Sequence, residues 1–387
     1  MQNNYSIGDE YTIIKEGETM LAVPKESMLS PSPPRRPVFF NPRGKKVRDI
    51  SILAYSAISI PNVVYGEALT GSGARLVRVA KEVNNVERVY GNDLNEEAVR
   101  VARFSSKLNG IDKITDISNK NANLFLVENS ERFDIVDIDP FGSPVNYVEN
   151  GLRSLKFGGM MSITATDTAP LKGLYNAVAF RRYFGTSVRC DFSSEIALRL
   201  LSAMVIRKAM QMDLAAEVAF VHSDQHYMRA YFFVSRGIEE ANRLIEGLGY
   251  IRVCRRCYFR REVKMDEEDE SKVCPRCMNR TDVAGPLWLG RIFNAELLKA
   301  MVDKAKEKKM KAYVRFLERA MLELQSPAYY YRIPTIADRL NKKAPSPMQI
   351  VERLKGMGFK ATLTSLDSQG VKTDAPIEAV EQSLSAA

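Results

Sequence analysis

The decapeptide FDIVDIDPFG at 133–142 runs alternating apolar side chains into Asp137-Ile138-Asp139, then stops on a proline, an aromatic ring and a glycine. A strand that looks buried and ends on a carboxylate needs a reason, because a buried charge without partners is costly. As plain structure, Asp-Pro is a common turn opening and Phe141 a core ring. As chemistry, the Asp139 carboxylate and the Pro140 carbonyl are two acceptors for the N–H bonds of an aromatic exocyclic amine. Such an amine is a poor nucleophile, since its lone pair is delocalised into the ring. Acceptors that orient it, stabilise the charge growing on nitrogen and help its proton leave would activate it. Phe141 would add a flat stacking surface, and the proline would keep the group stiff.

Two further clusters carry chemistry. Glu67-Ala-Leu-Thr-Gly71-Ser-Gly73 is a glycine loop at a strand end, where the backbone turns tightly and approaches a ligand closely. A dinucleotide fingerprint would put a third glycine where Leu76 stands, which weakens a nicotinamide reading. Asp93 lies 22 residues after Gly71 and can accept both hydroxyls of a ribose; its alternative is a helix N-cap. Asn121-Ala122-Asn123 follows the third strand and can read an adenine edge through a side-chain acceptor and a backbone N–H, or simply build a turn. Cys254-Arg-Arg-Cys257 and Cys274-Pro-Arg-Cys277 have sixteen residues between them, the spacing of two knuckles whose thiolates complete a tetrahedral zinc site. Four thiolates leave no open position, so such a zinc is structural.

These residues need elements to hold them. Strand patterns at 62–68, 86–91, 114–118, 133–138 and 159–165 alternate with helical stretches such as 74–83 and 95–108, which predicts a parallel sheet covered on both faces. After a long helix at about 192–211, DLAAEVAFVH and YMRAYFFVS are joined by only Ser223-Asp224-Gln225-His226, which demands an antiparallel hairpin. The proline cluster SPSPPRRP at 30–37 reads as an extended arm. Ser346-Pro347 opens a helix that Gly358 ends, before a last hairpin. The divisions expected are an arm at 1–45, a catalytic domain at 46–245, a cysteine module at 246–290 and a helix-rich domain at 291–387.

Composition sets the frame. The chain has 387 residues, 45% hydrophobic, long enough for more than one domain. No apolar run approaches the roughly 20 residues of a membrane span, and the N-terminus lacks a signal pattern, so the cytoplasm is the default expectation. A net charge of +9 favours a polyanionic partner over a solvated basic surface. Five cysteines in this pattern suit reduced thiols and a metal. Other residues stay two-sided. His222 and His226 at the hairpin make local hydrogen bonds or touch RNA. Asp167 caps a turn or borders a pocket, and Tyr329-Tyr330-Tyr331 are half buried or form a stacking platform.

Five βα units followed by a hairpin resemble the class I S-adenosylmethionine-dependent methyltransferase sheet, a Rossmann-like seven-stranded α/β fold. Beyond that, PVFFNP (37–42), Arg48-Asp49, Asp139-Pro-Phe-Gly-Ser-Pro144, Ala165-Thr-Asp-Thr-Ala-Pro170, Asp224-Gln-His-Tyr-Met-Arg-Ala230, Gly285-Pro-Leu-Trp-Leu-Gly290 and Gly370-Val-Lys-Thr-Asp-Ala-Pro376 together resemble the Trm1 family of tRNA (guanine(26)-N2)-dimethyltransferases. The resemblance implies transfer of one or two methyl groups from S-adenosylmethionine to the 2-amino group of guanosine 26 in tRNA. It implies cofactor contacts at Arg48, Arg75, Asp93, Asn121 and Ala122, and a guanine held by Asp139 and clamped between Phe141 and Phe39. The family usually has aspartate at position 121 and more often alanine at 71. A degenerate RNA-binding scaffold and an adenine N6-methyltransferase are the competing readings. The adenine enzymes usually show a second proline where Phe141 stands. A monomer is slightly favoured.

Overall fold

The computed structural model describes residues 7–30, 32–267 and 272–384. Contacts divide the chain into two compact units. One runs to Pro140 and includes Asn146–Ile163 and Asp303–Lys308; the other takes Phe141–Val145, Thr164–Val302 and the chain from Lys309.

The first unit opens with an antiparallel hairpin, β1 (Tyr11–Glu16) and β2 (Thr19–Pro24). No strand is expected within the arm at 1–45, although TIIKEGETMLAV alternates around a turn. Strands β3 (Val63–Glu67), β4 (Val86–Asn92), β5 (Thr115–Ser118), β6 (Phe133–Ile138) and β7 (Leu155–Ala165) follow, all paired in parallel. Helices Lys45–Ser56, Ala74–Glu82, Glu96–Leu108, Ala122–Glu128 and Val145–Ser154 alternate with them. With both faces covered, central β6 is buried at every residue, which is why its sequence reads as a continuous apolar run broken only by acids.

Arg78 ties the hairpin down. Its Nε and Nη2 donate to the Glu82 carboxylate, both at 2.9 Å, and its Nη1 donates to Glu16 at 2.9 Å and Asp49 at 2.7 Å. Thr19 Oγ1 donates to Glu82 as well. One buried guanidinium with three carboxylate partners is a stable arrangement only while every partner is present.

In the second unit, β8 (Leu214–Asp224) and β9 (Tyr227–Arg236) form the expected hairpin with a tighter turn, Gln225-His226. The full sheet order is β5-β4-β3-β6-β7-β9-β8, the seven-stranded arrangement expected. His222 is not a turn residue: it sits buried on β8, its ring nitrogens 3.2 and 3.4 Å from the hydroxyls of Tyr227 and Tyr231. The cysteine region is built on a three-stranded antiparallel sheet of β10 (Leu248–Val253), β11 (Arg260–Lys264) and β12 (Asp282–Trp288). Residues 268–271 of the acidic loop lie outside the described residues.

The C-terminal module carries β13 (Tyr331–Arg332), β14 (Ala361–Leu363) and β15 (Gly370–Thr373) and the helix Pro347–Gly356, capped by a reciprocal Ser346–Gln349 box. Lys372 on β15 reaches Glu195 on the helix Ser193–Met210 at 2.5 Å, where Arg199 also donates. Burial works to raise the Glu195 carboxyl, but the two cations outweigh it and hold it below the ordinary range. Tyr330 and Tyr331 are fully buried in the apolar clusters, so they are core and not a platform. Among the described residues no helix is long and apolar enough to cross a membrane.

Replacing Arg78 with Met leaves Glu16, Asp49 and Glu82 short of a buried cation and should cost about 3–5 kcal/mol. Thermal melting followed by circular dichroism should show an earlier first transition; an unchanged melt would show that the cluster does not hold the hairpin.

Candidate active site and four-cysteine cluster

Strands β3 and β6 lie side by side with Glu67 opposite Asp137. Strand alternation continues Asp137 to Asp139 on the same side, so three acids gather at the carboxyl edge of the sheet. Arg75, on the helix that opens directly after Gly73, meets all three. Its Nη1 donates to Asp137 at 3.1 Å and Glu67 at 3.3 Å, and its Nη2 donates to Asp139 at 2.5 Å. Tyr55 donates to the other oxygen of Asp137 at 2.5 Å and stands 2.5 Å from the Ser162 hydroxyl. Glu67 and Asp137 are sealed in, whereas the Asp139 side chain keeps 27% exposure. Asp139 is therefore the acid of the three that reaches the surface. Sequence reading singled out Asp139 but missed Tyr55, Asp137 and Ser162; the usable signal was a second acid two residues earlier in a strand otherwise apolar on that face.

The glycine loop has the backbone its sequence requires. Gly71 and Gly73 both have positive φ, and a Cβ on Gly73 would stand 2.6 Å from that of Ala102. Asp93 accepts the Gly71 N–H at 2.8 Å and the Asn95 N–H at 2.9 Å. The cap of helix Glu96–Leu108 is Asn95, so Asp93 does not take the capping role. Segment Pro37–Phe40 runs past the loop. The Pro37 carbonyl accepts from the Asn95 amide at 2.7 Å, and the Phe39 carbonyl is 3.6 Å from where a Gly71 Cβ would lie.

Asn121 caps the helix Ala122–Glu128, its side chain accepting the Asn123 N–H at 2.9 Å, and Ala122 is buried behind it. Arg48 is held in a bidentate pair with Glu16, at 2.7 and 2.6 Å, with its guanidinium 4.9 Å from the Phe40 ring centroid. Glu16, delivered by the unforeseen hairpin, also went unread.

In the second unit Phe141 is 54% exposed. The next residue is anchored: the Gly142 N–H donates to Thr166 Oγ1 at 2.6 Å, and the Thr166 N–H donates to the Gly142 carbonyl at 2.9 Å. Asp167 makes no cap for the turn Thr168–Leu171. Its carboxylate instead accepts from Tyr183 at 2.5 Å and from Arg182 at 2.8 Å. Burial, reinforced by the Asp167 charge, holds the Tyr183 phenol well above its ordinary range.

The four cysteine sulfurs lie within 4.8 Å of one another, with Cys254–Cys277 and Cys257–Cys274 each at 3.5 Å. A tetrahedron of thiolates at a metal–sulfur distance of ~2.3 Å has edges near ~3.8 Å, so the donor set fits such an ion. The two knuckles match in backbone. Tyr258 and Met278, each following the second cysteine, take the left-handed conformation, and their N–H groups donate to the carbonyls of Cys254 and Cys274. Burial pushes the Cys257 thiol up to about 12, whereas the Asn279 N–H brings Cys277 down to about 6.

Comparison with known proteins places this geometry. The family model described as N2,N2-dimethylguanosine tRNA methyltransferase matches residues 17–385. A tRNA (guanine(26)-N(2))-dimethyltransferase of Methanobrevibacter smithii is 32% identical over 382 residues, 97% of each chain. A tRNA (guanine(26)-N(2)/guanine(27)-N(2))-dimethyltransferase of Aquifex aeolicus is also 32% identical, over 95% of this chain and 94% of its own. Among solved structures, Trm1 from Pyrococcus horikoshii in complex with S-adenosyl-L-methionine superposes with a TM-score of 0.84 at 27% identity, covering 96% of this chain and 99% of that one. With a match that runs from the first hairpin to the last helix, the chain belongs to the N2,N2-dimethylguanosine tRNA methyltransferase family.

Proposed function

We propose that this tRNA methyltransferase moves one or two methyl groups from S-adenosylmethionine to N2 of guanosine 26, with Asp139, Pro140, Phe141 and Phe39 forming the guanine site. The observation that carries the reading is the strand-tip acid, Asp139, still partly exposed in a chain that the family model matches almost end to end. The Asp139 carboxylate and Pro140 carbonyl accept the two N–H bonds of the guanine amine and turn its nitrogen lone pair outward. As the nitrogen gains positive charge, Asp139 stabilises it and then receives the proton. Phe141 and Phe39 grip the base by stacking, after the nucleotide is extruded from the tRNA core at a cost of a few kcal/mol. A second round needs only one remaining N–H, which rotates toward the same acceptors.

The glycine loop with Asp93 suits a nucleoside, Asp93 facing the ribose, and Asn121 and Ala122 facing the adenine. Arg48 and Arg75 are the cations the family resemblance assigns to the amino-acid end of the donor, and each already carries acids as partners, Arg48 the Glu16 carboxylate and Arg75 those of Glu67, Asp137 and Asp139. The bound donor supplies an electrophilic methyl group on a sulfonium. Asp139 then has two roles in turn: ion-paired to Arg75 as the structure stands, and an acceptor for the amine when substrate is present. Cys254, Cys257, Cys274 and Cys277 would hold a structural zinc that closes the module, and the basic C-terminal domain would grip the tRNA body. We place the enzyme in the cytoplasm.

Incubation with labelled S-adenosylmethionine and tRNA transcripts carrying G or A at position 26, followed by nucleoside mass spectrometry, should give N2-methylated guanosine with G26 only. Label in adenosine would favour the N6 reading, and no label a non-catalytic one. Asp139→Ala should lower turnover by about 10²–10⁴-fold while donor binding, measured by calorimetry, changes little; a variant as active as wild type would remove Asp139 from the chemistry. Elemental analysis of the purified chain should find one zinc per chain. Cys257→Ser should lose it and melt earlier, and a metal-free wild type of unchanged stability would refute the zinc assignment.

A further inference from the structure

The helix Asn176–Tyr183 and the turn after it display aromatic rings to solvent: Tyr175 is 58% exposed, Phe180 50% and Phe184 64%. Three large rings exposed on one short segment exceed the scattered apolar residues of an ordinary surface. Phe184 is the odd one. It occupies the helix C-cap in the left-handed conformation, φ 59° and ψ 36°, where glycine or asparagine is the usual choice. A bulky residue in this conformation whose side chain is still mostly exposed is uncommon, and such outliers gather at functional positions.

The ring is nevertheless positioned. It stacks on Phe180 with centroids 5.3 Å apart and planes at 26°, and the Arg207 guanidinium lies 5.5 Å from its centroid. Arg207 also donates to the Phe184 carbonyl at 2.8 Å and to the Tyr183 carbonyl. From the other side, Tyr183 and Arg182 bind Asp167, whose neighbour Thr166 holds the Phe141–Gly142 turn. The platform and the Phe141–Gly142 turn are therefore linked by a short run of hydrogen bonds inside one unit.

Charge selects the occupant. Residues 168–190 contain Lys172, Arg181, Arg182 and Arg189 and no acid, and the three arginines are exposed. Asp167 and Asp191 flank the stretch, paired with Arg182 and Arg260, so the remaining charge is cationic, and exposed rings interleaved with surplus cations suit unpaired nucleotides, whose bases stack while their phosphates meet the arginines. A protein partner would favour a mixed-charge rim.

We infer that Phe184, backed by Phe180, is a stacking platform for an unpaired nucleotide of the RNA substrate, with Arg181 contacting its phosphate. This rests on the reading that the chain methylates tRNA. The platform would hold the substrate strand and repay part of the opening.

The test uses the full chain and a fluorescein-labelled tRNA transcript in anisotropy titrations at fixed salt. Phe184→Gly relieves the backbone and removes the ring, so Kd for tRNA should rise about tenfold with the melting temperature unchanged or higher. Phe184→Trp, which restores a stacking surface, should bind within about twofold of wild type. Arg181→Ala should lower the slope of log Kd against log salt by about one, which Phe184→Gly should not do. Wild-type affinity in Phe184→Gly, or binding by Phe184→Trp as weak as by the glycine variant, would overturn the inference. If the wild type forms no N2-methylguanosine, the functional reading fails instead; methylation by a wild type whose variants bind equally well removes only the platform.

Discussion

Everything at the carboxyl edge of the sheet depends on one guanidinium. Parallel pairing of β3 with β6 forces Glu67 and Asp137 into register, and the strand period adds Asp139. Three carboxylates so close, two of them without solvent, would repel one another strongly at low effective dielectric. Arg75 bridges all three through two nitrogens, and Tyr55 satisfies the remaining side of Asp137. The inner pair hold Arg75 in place, and Arg75 in turn holds Asp139 aimed outward. Asp139 is thereby held at the strand tip, paired to a buried cation while its side chain stays partly exposed, the kind of fixed acid that preorganisation requires.

Similar buried ion clusters recur at the joints. Arg78 fastens the N-terminal hairpin, and Lys372 with Arg199 fastens the C-terminal module to the helix Ser193–Met210 through Glu195. In each, a pair within one helix, Arg78–Glu82 or Arg199–Glu195, is joined by a partner from another element: Glu16 and Asp49 in the first, Lys372 in the second. A buried charge tolerates only a matching partner at short range, so these clusters specify which surfaces join more sharply than apolar contact does. Glu16 shows the consequence: it belongs to the Arg78 cluster and also orients Arg48.

Much of this was legible in the residues. The alternation of strands and helices announced the parallel sheet, because a strand buried on both faces and a helix amphipathic about its axis leave different periodicities. The strand-tip Asp-Pro-Phe, the glycine loop and the paired cysteines were visible as local spacings, and each proved to sit in the kind of element expected. What stayed hidden was non-local. Glu16, Asp49 and Arg78 come from three separate segments and meet only in the fold, whereas the β1–β2 hairpin was a local signal, two alternating runs about a turn, that the arm reading passed over.

The sequence by itself determined the fold class and the family, since these are set by residue type, order and spacing along the chain. Tertiary structure decided which of those residues face one another. That Asp93 binds the glycine loop and leaves the helix cap to Asn95, that Asp139 rests on Arg75, and that Tyr330 and Tyr331 are core while Phe184 faces water all follow from through-space electrostatics and packing. Neither leaves a periodic mark on a linear chain, because partners lie tens of residues apart and only folding brings their charges within reach.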